Sequence, residues 1–191
     1  MTVLLEGKGQ MIPQRGCQDA VAGGGGRVGL AAILSNITTG GGGLAMRVHG
    51  EYRIHTMARV LWITVSGGIN YPFACDYRDA VRAAAQTLGP GPWIRVTDIR
   101  DWQLGGPEVI PPLHELMQWC EEHELAHSIN IVSMVNLQRH MLDQMMAGVA
   151  RQSQRHLTRS VTEARALLQQ LQPTLSLDAL LAEVYADGNG A

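Results

Sequence analysis

The chain has little of several things, and each shortage excludes a class. Of its 191 residues only 17% are charged, and the charges balance to −2. Such a chain exerts no general pull on nucleic acid or an anionic membrane surface. Three cysteines, Cys17, Cys75 and Cys120, are scattered and odd in number, with no CxxC pair. That argues against a disulfide framework or a zinc ribbon and for a reduced cytoplasmic setting. No apolar run approaches the roughly 18 residues of a membrane span. The N-terminus lacks the basic, apolar and cleavage-site order of a signal peptide. Aromatic residues make up 5% of the chain. The one locally basic stretch, 139–165, sets Arg139, Arg151, Arg155, Arg159 and Arg165 against Asp143 and Glu163, five minus two or +3. It has none of the interleaved aromatics of a base-stacking platform and reads as a solvated helix surface, so no nucleic-acid partner is expected.

What is present suits a single globular domain, with 46% apolar residues and enough length for a real core. The first fifty residues differ from the rest, holding 13 of the 22 glycines, including Gly23–Gly26 and Gly40–Gly43. Ordering such a segment costs much backbone entropy and buries little side-chain area. Residues 1–48 are therefore expected to form a disordered Gly-rich extension, with at most a short helix at Leu30–Leu34. Ordinary composition begins near Met46, so residues 1–45 are read as an extension produced by too early a start codon. Gly24-Gly25-Gly26-Arg27-Val28-Gly29 satisfies GxGxxG. It lacks both the strand before it and the full helix after it that a dinucleotide site needs, and is taken as linker.

From residue 49 the pattern is α/β. Glu51–Thr56 and Val60–Ser66 alternate as two strands of a hairpin. Pro72 lies in the first turn of a helix opened by Asn70 or Tyr71, with Phe73, Tyr77, Ala80, Val81, Ala84 and Leu88 as its apolar stripe. The organising stretch is Trp93-Ile94-Arg95-Val96-Thr97-Asp98-Ile99-Arg100-Asp101-Trp102, a strand entered from Gly89-Pro90-Gly91-Pro92. Ile94 and Val96 are its expected core positions. A second helix carries Val109, Leu113, Leu116, Met117 and Cys120. A strand follows at Ser128–Met134. A third helix, capped by Asn136, turns Leu137, Met141 and Met145 inward, with Val149 on the same face if the helix runs that far, while Met146 is expected at the surface. A short strand at His156–Thr158 and helices at Val161–Leu171 and Leu177–Tyr185 complete the order. Residues 49–172 form the α/β domain and 173–191 a short helix and tail. The fold class is α/β: a mixed sheet with an N-terminal antiparallel hairpin and helices packed on it.

The region from Glu51 to Leu171 resembles the SpoIIAA-like, STAS-type domains of bacteria. The resemblance rests on the hairpin, on Pro92–Trp102, on the helix carrying Leu116-Met117-Gln118-Trp119 and on the strand Ile129–Ser133. It implies a non-enzymatic regulatory or protein-interaction module, whose relatives bind kinases, sigma-factor regulators, transporters or, in some branches, lipid-like ligands. It implies no cofactor. Phospho-switched members carry a serine in an Asp-Ser-Ser-Gly-like loop before the helix that follows the central strand. The matching Leu104-Gly105-Gly106-Pro107-Glu108 has no Ser or Thr, so the switch does not come with the resemblance.

Two candidate sites remain. Asp98, Arg100, Asp101 and Trp102, with Asn136 from the loop after the next strand, gather at the carboxyl ends of the strands, where open α/β sheets bind ligands. They are read as the polar lip of a partner or small-ligand pocket under Trp102 and Trp62, with Asp98 held inward because it directly follows the strand, or else as a solvated rim with Trp102 plugging the core. His123-Glu124-Leu125-Ala126-His127 is a literal H-E-x-x-H, which on a helix would put two imidazoles on one face for zinc. Here it straddles a helix end and a strand start. Asn130 and Met134 stand where the extended motif has Gly and a third His. A zinc-dependent hydrolase using His123, Glu124 and His127 is the alternative from another class.

Overall fold

A computed structural model describes residues 4–7, 50–103, 105–133 and 135–185, with backbone alone at 4–7, 135 and 136. One mixed sheet runs in strict chain order: β1 (Leu4–Gly7), β2 (Glu51–Met57), β3 (Val60–Gly68), β4 (Trp93–Gln103), β5 (Leu125–Ile131) and β6 (Gln154–Thr158). The strands β1, β2 and β3 pair antiparallel, and β3 to β6 pair in parallel. The helices are α1 (Tyr71–Gln86), α2 (Ile110–Glu122, led in by a 3-10 turn at Pro107–Val109), α3 (Val135–Met145), α4 (Val161–Leu171) and α5 (Leu177–Tyr185).

Local chemistry explains most boundaries. The Asn70 side chain accepts from the Phe73 N–H and caps α1, and Ser160 caps α4 through the Glu163 N–H. The hairpin turns through Ala58 at φ 51°. Gly50, at φ 91°, has room for no side chain, because a Cβ there would lie 2.9 Å from the Gly68 carbonyl oxygen.

Each parallel crossover steps to the next strand in the same direction. Right-handed connections therefore place α1, α2 and α3 on one face. The chain then returns over the other face with α4 and α5. The first face buries Leu61, Ile63, Phe73, Trp93, Leu116 and Cys120, and the second Val60, Trp62, Ile94, Val96, Ile129, Ile131, Leu168 and Leu180. Covered on both faces, β4 and β5 are buried along most of their length, Ile94 and Val96 included.

Several expectations are corrected. Within the segment read as disordered, Leu4–Gly7 pairs with β2 as an edge strand. The GxGxxG stretch, Leu30–Leu34 and Met46 lie outside the described residues. The strand expected at Ser128–Met134 begins three residues earlier, because Glu124, at φ 62°, turns the chain directly from α2 into β5. Since α3 opens at Val135, Asn136 sits inside its first turn rather than capping it. Leu137 is exposed and Met146 buried, the reverse of what was expected. The strand order never reverses, so the crevice that a topological switch point creates does not form.

Candidate functional site

The carboxyl end of β4 is shaped by a bulge. Thr64 pairs with Asp98 and Ser66 with Asp101, so β4 advances three residues while β3 advances two. The extra residue exchanges the faces. Before it, Trp93, Arg95, Thr97 and Ile99 point toward α1–α3. After it, Trp102 does. Trp62 lies in the core on the opposite face. Trp102 and Trp62 therefore cannot share one pocket, and that reading is withdrawn.

Asp98 points to the α5 face and is 6% exposed. It accepts from the Arg100 backbone N–H at 3.2 Å, from Arg100 Nε at 2.9 Å and Nη2 at 2.8 Å, and from the Tyr185 hydroxyl at 2.9 Å. Hydrogen bonding to Asp98 holds the Arg100 guanidinium in its charged form, outweighing partial burial. Burial, followed by the Asp98 charge, pushes the Tyr185 phenol up and keeps it a donor. Asp98 thus ties α5 to the central strand. Trp62 packs edge-on against the Tyr185 ring, with centroids 6.4 Å apart. Asp101 stands exposed beside this group. The Asn136 side chain lies outside the described residues.

The rim around β4 is clasped to the loop after β5. Ser133 Oγ donates to the Arg100 carbonyl at 2.7 Å. Gln138 Nε2 donates to the Ile99 carbonyl at 2.7 Å, while its Oε1 accepts from the Ser133 N–H at 2.9 Å. The first turn of α3 is thereby fixed next to the Arg100–Asp101 tip. Leu137 leaves that turn 47% exposed, and Tyr71, at the first turn of α1 on the same edge, is 37% exposed.

The H-E-x-x-H residues are dispersed. His123 ends α2, stacks on Trp119 with centroids 4.0 Å apart, and places Nδ1 2.7 Å from the Trp119 carbonyl. The Glu124 carboxylate accepts from the Gly91 N–H at 2.7 Å. His127 lies on β5, sharing the face of Ile129 and Ile131, with Nδ1 3.4 Å from His156 Nε2. Burial, and next the neighbouring His156, push its imidazole pKa down. Among the described residues no group of three or more His, Cys, Asp or Glu side chains is placed to hold a metal. The arginines of the basic stretch also part: Arg155 pairs with Glu121 on the α2 side and Arg165 with Asp178 between α4 and α5. Burial pushes the Glu121 carboxyl up, but hydrogen bonds from Ser153, Gln152 and Arg155 outweigh it and hold the pKa below the usual value.

The structure also shows a group that sequence reasoning missed. Under α1–α3 the middle of the sheet is polar: Arg95, Thr97, Ser128 and Asn130 are all buried there. In the sequence, Arg95 and Thr97 alternate with Ile94 and Val96 as on a half-solvated strand. The signal available was the number of helices, enough to cover both faces of the sheet.

A search of known proteins finds a structural likeness to an anti-sigma factor antagonist from Mycobacterium paratuberculosis. It has 14% identity and a TM-score of 0.41, and it spans 61% of this chain and 91% of that one. No family model and no curated protein matches.

Proposed function

We propose that this chain is a regulatory or protein-interaction module of the SpoIIAA-like, STAS type, without catalysis of its own and without the phosphorylatable serine of the switch. The observation that carries the reading is the rim at the carboxyl edge. Leu137 exposes a large apolar side chain there, in a helix turn that hydrogen bonds fix beside the Arg100–Asp101 tip, and Tyr71 exposes another at the capped start of α1. Apolar anchors flanked by charge on a rigid frame are the chemistry of a protein interface. Arg100, Asp101 and the first turn of α3, in which Asn136 stands, form the contact surface. Asp98 supports it by holding Arg100, and Trp102 by filling the core beneath. A protein partner suits this exposed rim better than a small ligand does. The three cysteines are scattered and form no CxxC pair, which suits a reducing cytoplasm. Among the described residues no helix is long and apolar enough to cross a membrane.

Zinc hydrolysis is the competing activity. Its ligands would have to leave Trp119, Gly91 and His156 and converge from a helix end and a strand. The expected result of metal analysis on purified chain, dialysed against zinc-free buffer, is far less than one zinc per molecule. Stoichiometric zinc that disappears in His123→Ala would overturn the proposal.

A further inference from the structure

Two histidines meet where β5 joins the edge strand β6. The strands run parallel, with His127 opposite Gln154 and Ile129 opposite His156. His127 and His156 are therefore diagonal neighbours on the face that buries Ile129 and Ile131. Nδ1 of His127 and Nε2 of His156 are 3.4 Å apart. The ring centroids are 5.6 Å apart, so the rings face each other nitrogen to nitrogen. Neither ring makes another hydrogen bond or an ion pair among the described residues. Both side chains are half-buried, so solvent and its ions reach them.

Two neutral imidazoles so placed could share an N–H donor bond, but 3.4 Å exceeds the roughly 2.7–3.2 Å of a good one. The separation matches a different arrangement. With Zn–N distances of about 2.0–2.1 Å, two ligand nitrogens of a tetrahedral zinc lie about 3.3–3.4 Å from each other. Rotation about χ2, a soft torsion in His, turns both lone pairs onto one ion. Burial, and next the neighbouring His156, push the His127 pKa down, so at neutral pH its ring is in the uncharged form that binds metal.

We propose that His127 and His156 form an exchangeable site for a divalent ion of the zinc class, with water completing its coordination. Imidazole suits zinc, copper and nickel, whereas magnesium and calcium take oxygen ligands. No further His, Cys, Asp or Glu joins the pair into a group of three among the described residues. Two side-chain ligands hold the ion loosely, so it is lost on dialysis, unlike a retained catalytic zinc. His123 and Glu124 take no part, being engaged by the Trp119 carbonyl and the Gly91 N–H. A bound ion would tie β6, which pairs with β5 alone, to its neighbour through side chains as well as through the strand ladder. The site does not depend on the partner rim.

Calorimetric titration of the full chain with zinc chloride, and separately with magnesium chloride, tests the proposal. One zinc per chain is expected to bind with a micromolar Kd, and magnesium not to bind. His127→Gln and His156→Gln are each expected to weaken zinc binding about tenfold or more, while His123→Gln and His140→Gln leave it unchanged. On the parent chain, zinc is expected to protect His127 and His156 from carbethoxylation, read residue by residue by mass spectrometry. Saturable zinc binding that is absent or matched by magnesium, or equal modification of the two rings with and without zinc, would overturn the proposal whether or not the variants fold. A folded His127→Gln or His156→Gln that keeps the parent affinity would overturn it as well. Zinc lost in His123→Gln would also overturn it, and would place the ion at the H-E-x-x-H residues, so this failure is distinct from the others in counting against the proposed function too.

Discussion

Trp102→Ala is expected to destabilise the fold by about 3–5 kcal/mol, the range for removing a large aromatic from a core. Trp102 is 4% exposed and belongs to the cluster that joins the sheet to α1–α3. The bulge puts it there by turning an even-numbered residue onto the face that Trp93 and Ile99 also use. At about 2–4 °C per kcal/mol for a domain of this size, the melting temperature should fall by roughly 6–20 °C. Partner binding in the folded fraction should be nearly unchanged, because the indole lies under the rim rather than on it. Thermal unfolding with a binding assay on the surviving fraction checks both parts. A loss of stability below about 0.5 kcal/mol, the level of an ordinary surface change, would place Trp102 outside the core.

Asp98→Ala should cost about 2–4 kcal/mol. Removing one partner of a buried charged pair usually costs about 3–5 kcal/mol. The lower figure applies here because the Arg100 side chain is 36% exposed and regains water when released. The loss is localised: Tyr185 loses its acceptor, and the end of α5 loses the side-chain hydrogen bond that ties it to β4. Hydrogen exchange should therefore quicken across Leu177–Tyr185 more than in α1 or α2. Asp98→Asn, which keeps one acceptor oxygen, should show a smaller effect. Unchanged exchange in α5 would mean that its apolar contacts alone hold it.

The hairpin, α1, α4 and α5 were legible because their signals are local. Alternation set β2 and β3. Asn70 and Pro72 set the start of α1, and spacings of three and four set α4 and α5. The start of β5 was not legible, because Glu124 takes a left-handed conformation where the sequence offers no glycine. The exchange of faces in β4 was equally hidden: a bulge is set by pairing to a neighbouring strand, and Ile99-Arg100-Asp101 carries no mark of it. Asp98 was expected to turn inward, and it does, but toward α5 rather than toward a pocket beneath Trp102. Arg95 was missed because its burial depends on how the crossovers stack, a property of the whole sheet.

The central claim is that the carboxyl-edge rim binds a protein. The direct test captures partners from the cells that make this protein, using the full chain, Leu137→Asp and Leu157→Asp side by side. Both leucines are exposed, Leu137 on the rim and Leu157 on the edge strand β6. The account predicts that Leu157→Asp retains the same captured protein as the parent chain and that Leu137→Asp loses it while melting at the same temperature. Equal capture by a folded Leu137→Asp would contradict it.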